Sequence, residues 1–374
     1  PSNSSAASDV YKRQYQYRIN KYDLDFGPGM SVEMDHNTYS LGATVSQPIY
    51  AGGQIYNNYK AAQVQGKITE QAEELTTDNI VYSADLNYWT AAARKGMYDV
   101  MCQYVDIVGE LANVLTIRFN DGQISKTDLL QVESRLKEAE LNKSSAYKEY
   151  QIALQNLNSL MGVSPLDPIE VEDSITTYLA LPLQVGEDVA LRNRPDYAIS
   201  ELNIEYQKRQ INLSKAKYNP SLAIGFQGTW GTPMLNVKGS DQLWTPAVFA
   251  SLKIPLFRWG ARFKEVNSQK AILRSKEYAL DNTRDKIAQE VANAWTSLTE
   301  YTKQITVAEE ACKIAEENLD LNTFSYNEGK LPILDVLSAQ LSWIQSYSSL
   351  IQTWYQQKAS LAQYNKAIGI RRLQ

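Results

Sequence analysis

The sequence predicts a mainly α fold with a small membrane β part. Its helices read as a long antiparallel coiled-coil barrel. Its four strands per protomer would close a twelve-stranded β-barrel only in a trimer. Three observations carry this: a tandem structural repeat, two very long proline-free helical stretches, and four short strands of alternating polarity.

The repeat organises everything else. Ser46-Gln47-Pro48-Ile49-Tyr50 ends a strand pattern before Gly52-Gly53-Gln54 opens a helical one. Lys253-Ile254-Pro255-Leu256-Phe257 ends another before Trp259-Gly260-Ala261-Arg262. One shift of 207 relates Pro48 to Pro255, Gly122 to Gly329, Asp128 to Asp335 and Gly162 to Gly369. Four landmarks sharing one ungapped offset identify a duplicated unit.

The helices follow from length and periodicity. Helices are expected over residues 52–118 and 260–325, with no proline in either helical run. At 1.5 Å per residue each is about 100 Å long. Globular helices seldom pass about 25 residues, so these belong to a coiled coil or an elongated bundle. Gly-centred turns follow, at Asn120-Asp121-Gly122-Gln123 and Asn327-Glu328-Gly329-Lys330. Each suits a left-handed residue between two helices. Returning helices are expected over 125–161 and 332–369. Their seams step by threes and fours: Tyr150, Leu154, Leu157, Met161, and Leu334, Leu337, Leu341, Ile344. A Pro-punctuated equatorial linker, 163–195, leads to a further helix over 196–218, which Asn219-Pro220 ends.

Strands are expected over 15–26, 38–50, 221–232 and 245–256. Leu222, Ile224, Phe226 and Trp230 share one face of the third, with Ala223, Gly225, Gln227 and Thr229 opposite. This is the period-2 pattern of a membrane barrel, apolar outward and small or polar inward. A soluble antiparallel sheet with one wet face gives the same alternation. Topology favours the barrel, because four strands cannot close and open edges are forbidden in lipid. Tyr39, Tyr50, Trp230 and Trp244 fall near strand ends, where interface aromatics belong.

The domain organisation is therefore a leader, 1–14, non-native or disordered; a first repeat, 15–162; the linker, 163–195; and a second repeat, 196–370. The helix that should precede the first strand is not in the sequence, which reads as N-terminally truncated. Whether a lipoprotein signal stood there is left open.

Composition removes other classes. A net charge of -5, from 37 basic and 42 acidic residues, offers no basic stripe for nucleic acid. Cys102 and Cys312 lack metal or redox spacing and read as free thiols. No run approaches about 18 consecutive apolar residues, so any membrane crossing falls to the strands. The single histidine, His36, reads as a solvated loop residue. With no metal-spaced ligands and no phosphate loop, the chain is expected to be no enzyme and to need no cofactor.

Taken in order, these features resemble the TolC-like outer membrane efflux protein family, from about Tyr15 to Ile370. The carrying motifs are Pro48…Gly52-Gly53, Pro255…Gly260, Arg194-Pro195-Asp196, Asn219-Pro220, Arg118-Phe119-Asn120-Asp121-Gly122 and Tyr326-Asn327-Glu328-Gly329. The resemblance implies a homotrimer embedded in outer-membrane lipid and extending into the periplasm. It would serve as the passive channel of a tripartite efflux or type I secretion system. Its partners would be a periplasmic adaptor (membrane fusion) protein and an inner-membrane pump of RND or ABC type. The adaptor would dock at Asp121, Gly122, Gln123 and Ile124, and at Glu328, Gly329, Lys330 and Leu331. Positions matching the family's periplasmic gate are Thr127, Asp128, Tyr326 and Asp335. Leu331 stands where a gate arginine is expected and Ser338 where a further aspartate is; Lys330 is the adjacent substitute.

Two readings of the carboxylates stay open. Ser125-Lys126-Thr127-Asp128 is also a capping-box pattern, and a first-turn carboxylate is favoured by the helix dipole. Arg194-Pro195-Asp196 reads as a helix stop and restart. The alternative for the whole chain is a soluble coiled-coil scaffold or tether, which leaves the four strands without a purpose.

Overall fold

The computed structural model describes residues 10–17, 24–25, 31–32, 37–232, 241–256 and 258–370. The elements, in order, are β1 (Val10–Tyr17), β2 (Leu24–Asp25), β3 (Ser31–Val32), β4 (Asn37–Ala51), α1 (Gln54–Asn120), α2 (Lys126–Met161), α3 (Glu187–Asn193), α4 (Pro195–Ala216), β5 (Ser221–Gly231), β6 (Leu243–Lys253), α5 (Ala261–Asn327) and α6 (Ile333–Ala367). His36 and residues 1–9 of the expected leader lie outside the described residues.

The duplication is visible in the backbone. Both α1 and α5 have 67 residues, offset by the same 207 positions. Gly122 and Gly329 sit at φ 70° and 72°, and Gly162 and Gly369 at 75° and 69°. The hydrogen bonds closing the first turn recur in the second. Gln123 N donates to Arg118 O at 2.8 Å and Lys330 N to Ser325 O at 2.9 Å. Left-handed residues release the chain from each long helix while satisfying its last carbonyls.

The chain folds as two compact units that cut across the repeats. One comprises Pro1–Ile68 and Glu201–Tyr278, the other Thr69–Ser200 and Ala279–Gln374.

The first unit holds an antiparallel sheet in the order β1-β4-β5-β6, plus the small β2-β3 pair. Residues facing each other include Val10 and Thr44, Leu41 and Trp230, and Phe226 and Val248. A register shift falls between Pro48 and Tyr50, since proline brings no N–H to the ladder. Gly52, at φ 62°, seats the start of α1 against the end of α4. An added Cβ would stand 2.6 Å from Ala216 O, and Asn219 Nδ2 donates to Gly52 O at 2.9 Å.

The first strand departs from expectation. It begins at Val10, inside the stretch read as a leader, and is described as far as Tyr17. An edge strand needs only the backbone of β4 to pair with, so alternation was a poor guide to its limits. Residues 18–23 of the expected strand lie outside the described residues, and Leu24–Asp25 pair with β3 instead. The last strand ends at Lys253, short of 256, because Pro255 supplies no ladder donor.

The second unit is helical. Its larger core joins α1, α2, α5 and α6 through Val108, Leu115, Val132, Tyr326, Val336 and Trp343. A smaller one gathers Ala190 of α3, Ile287, Val291 and Leu298 of α5, and Leu361, Tyr364 and Ala367 of α6. By composition, α1 contains one 18-residue window of mean hydropathy 1.3, apolar and long enough to cross a membrane, 33% of it buried. Val108, Leu111 and Leu115 of that helix point into the core.

The linker contains one helix the sequence did not suggest, the seven-residue α3. The rest is irregular and held by helix side chains bonding to its backbone. Asn158 Nδ2 donates to Asp167 O at 2.8 Å, Lys95 Nζ to Val171 O at 2.8 Å, Tyr364 Oη to Leu183 O at 3.3 Å, and Lys358 Nζ to Thr177 O. These bonds occupy carbonyls that no secondary structure satisfies. Arg194 closes the segment as a strut, bidentate on Asp196 at 3.0 and 2.6 Å and 2.5 Å from Glu290. The two carboxylates raise its already high pKa against burial.

Candidate functional site

Two surfaces carry chemistry: the sheet of the first unit and the pair of turns in the second.

On the sheet the usual arrangement of polarity is inverted. Registration places Leu41, Val45, Ile224, Phe226, Val248 and Leu252 on one face. All six are exposed, Val248 to 83%. No strand residue belongs to either buried apolar cluster, so nothing among the described residues covers this face. The opposite face carries Ser40, Gly42, Thr44, Ser46, Gly225, Gln227 and Thr229. Tyr39, Trp230 and Trp244 mark one end of the apolar face and Tyr50 the other. Rings of this kind sit at lipid–water boundaries. Gly225 and Gly228 leave room for the rings of Phe249 and Trp244, which an added Cβ would strike. An exposed apolar face bounded by aromatics suits hydrocarbon, whereas water would favour the reverse.

At the turns, α1 and α5 end side by side. Arg118 Nη2 donates to Asn327 Oδ1 at 3.1 Å, and its guanidinium lies 5.2 Å from the Tyr326 ring centre. Tyr326 is 7% exposed. Burial pushes its phenol above the ordinary value, Arg118 opposing the shift and Asp128 adding to it. Thus Asp128 lies near enough to act on Tyr326, and Arg118 links Tyr326 and Asn327 to the end of α1, a bridging role the sequence did not disclose. It faces Asn327 only because the two long helices run in register, which is a tertiary fact.

The two aspartates differ. Asp128 completes a capping box: its N–H donates to Ser125 Oγ at 3.2 Å, and its Oδ2 accepts from Ser125 N at 3.4 Å and Oγ at 2.9 Å. Asp335 is exposed in the first turn of α6, where Pro332 offers no side-chain cap. Thr127 is exposed and lines a groove with Leu130 and Leu334. Lys330 lies 4.0 Å from Glu328. Asp121, Gly122, Gln123, Glu328, Gly329 and Lys330 are exposed, with Ile124 and Leu331 half-buried beneath them. Nothing approaches the Cβ positions of Gly122 or Gly329.

Among the described residues no cluster of His, Cys, Asp or Glu could hold a metal. Cys102 and Cys312 are free, and burial raises the Cys312 thiol pKa.

The profile of the outer membrane efflux protein family matches residues 11–163 and 188–370, covering both repeats. The chain belongs to that family. It is an outer-membrane protein extending into the periplasm. Nodulation protein T of Rhizobium leguminosarum bv. trifolii is 25% identical over 260 residues, 67% of this chain and 55% of that protein's length. The outer membrane efflux protein BepC of Brucella suis is 20% identical over 352 residues, covering 94% of this chain and 75% of BepC. The fold is shared with the crystal structure of the Campylobacter jejuni CmeC outer membrane channel. That match has a TM-score of 0.75 at 18% identity and covers 98% of this chain and 78% of CmeC.

Proposed function

We propose that the chain is the outer-membrane channel component of a tripartite efflux or type I secretion system, a passive trimeric duct. The observation that carries this is the sheet: an uncovered apolar face, and edge strands β1 and β6 whose outer edges pair with no strand among the described residues. Lipid tolerates no open edge. Three copies related by an axis would supply twelve strands, close the edges and turn the polar face toward a lumen. The paired helices would then continue the lumen as a tube. Membership of the efflux family, and the channel fold shared with CmeC, support the same reading.

At the far end of such a tube, Thr127, Asp128, Tyr326 and Asp335 would form the periplasmic gate. Two carboxylates per chain, repeated threefold, would favour cations at the constriction. The exposed knuckles Asp121–Ile124 and Glu328–Leu331 would receive the adaptor, which joins the duct to an inner-membrane pump of RND or ABC type. The pump would select the cargo and the duct would conduct it without chemistry of its own.

Extraction from membranes, light scattering and planar bilayers test this together. Detergent-dependent extraction, a mass of three chains and a steady conductance are expected. A water-soluble single chain with no conductance would sink the proposal and restore the scaffold reading.

A further inference from the structure

Charge is distributed unevenly between the two units. The unit containing the sheet holds 18 Lys and Arg against 10 Asp and Glu, a net of +8. The helical unit holds 19 against 32, a net of -13. The excess in the first unit lies largely on the helical segments adjoining the sheet.

There, a groove between α4 and α5 is lined by Lys208, Lys215, Lys270 and Arg274, with Asn212 and Asn267 between them and Ile211 and Leu273 among its apolar wall. No carboxylate lines it. All four cations are exposed and make no ion pair among the described residues. Their neighbours do: Lys217 meets Glu265 at 2.6 Å and Arg209 meets Glu205 at 3.6 Å. The groove's cations are therefore left uncompensated by the protein itself.

Position narrows the counter-ion. Lys215 stands one residue from the end of α4, and β5 begins at Ser221. Lys270 and Arg274 lie about 14 and 20 Å along α5 from its start. On α5 the spacing of three and four puts Phe263, Asn267, Lys270 and Arg274 on one face. Phe263, nearest the sheet, is 73% exposed. The stripe runs from aromatic to amide to cation, moving away from the strands that meet hydrocarbon. Basic side chains with long apolar stems reach back toward an interface in this way.

We infer that the α4–α5 groove docks the phosphate headgroup of an anionic phospholipid, in the leaflet on the helical side of the membrane. This rests on the reading of the sheet as membrane-embedded. The phosphodiester oxygens accept from the ammonium and guanidinium groups, and the two amides donate to the remaining headgroup oxygens. The acyl chains lie past Phe263 along the apolar face. Basic pockets at the membrane surface recognise anionic lipids by this chemistry.

The test uses purified full-length chain in neutral detergent, with phosphatidylglycerol, phosphatidylcholine or inorganic phosphate added, read by lipid retention in native mass spectrometry and by thermal shift. Phosphatidylglycerol is expected to be retained preferentially and to raise the melting temperature. K208Q/K215Q/K270Q/R274Q should lose that preference, by about fivefold for each cation removed. A charge-matched variant away from the groove, K137Q/K148Q/K303Q/K313Q, should keep it. If the quadruple variant does not fold, K270Q/R274Q and the weakening of wild-type retention by salt serve instead. Equal retention of phosphatidylcholine, an equal shift with inorganic phosphate, or equal competition by polyglutamate would each overturn the proposal. Conductance in planar bilayers is measured alongside. A conducting wild type without lipid preference refutes the groove alone, while a non-conducting one refutes the duct.

Discussion

Lys358 offers a measurable cost inside the helical unit. It is 1% exposed, yet it carries an ammonium group, with Nζ donating to Thr177 O and lying 4.8 and 5.2 Å from the ring centres of Trp89 and Trp354. Burial lowers its pKa from 10.5 to about 8, with Asp173 partly restoring it. One unit corresponds to about 1.4 kcal/mol, so keeping the folded lysine charged costs up to about 3 kcal/mol. Below pH 8 both states are charged and the whole cost is present. Between about pH 8 and 10.5 the unfolded chain holds more protons than the folded one, so stability rises with pH. Above that range both are neutral and the cost is gone. Lys358→Met removes the titration. Guanidinium unfolding in detergent at fixed protein concentration, followed by tryptophan fluorescence, should show wild type gaining up to about 3 kcal/mol on the variant between pH 7.5 and 10.5. Cys312 and the buried tyrosines titrate in both proteins, so the difference isolates the lysine. A difference independent of pH would show that water reaches the ammonium and that the burial argument is wrong.

Gly52 and Gly122 are both left-handed, but only Gly52 has a backbone oxygen where a Cβ would go. Gly122→Ala should cost about 1 kcal/mol and Gly52→Ala about 1–3 kcal/mol more, read as loss of melting temperature; equal losses would contradict the close approach to Ala216. Arg118→Ala should speed amide exchange in the second turn, around Asn327–Lys330, and Arg118→Lys should fail to restore protection because a point charge lacks the planar fork. Rescue by lysine would reduce the contact to charge alone. Asp128→Ala should destabilise by about 1 kcal/mol through its capping box, while Asp335→Ala should leave stability within about 0.5 kcal/mol. Combining them should raise conductance and weaken cation preference; unchanged bilayer currents would remove both residues from the gate.

The long helices were legible in the sequence because their signals are local. Absence of proline, seams at threes and fours, and glycines at a fixed offset specify α1, α2, α5 and α6 within two or three residues at each end. The strands β4, β5 and β6 were legible through alternation, although alternation alone left the sheet's environment undecided. What bears on it is tertiary: among the described residues nothing buries the Leu41–Phe226–Val248 face. Edge strand β1 was misplaced because backbone pairing, rather than side-chain pattern, sets its limits. At the turns, Asp128 was legible as a cap from Ser125 three residues earlier. The partnership of Arg118 with Tyr326 and Asn327 was not, since more than 200 residues separate them. The basic groove left a sequence signal that the overall charge of -5 concealed. It emerges only in the separate balance of each folded unit. Lys358 gave a partial clue in Trp354, four residues earlier on the same helical face, but Trp89 reaches it only through folding.

The linker's anchorage has a consequence for how this protein can change. Asn158, Lys95, Lys358 and Tyr364 grip main-chain oxygens, and a main-chain oxygen is present whatever amino acid bears it. The path of the segment is thus written on the neighbouring helices, while Leu166, Tyr178 and Leu183 stand outward with little to constrain their identity. Descendants of this chain can redecorate that belt, and with it whatever touches the belt, without redrawing its course.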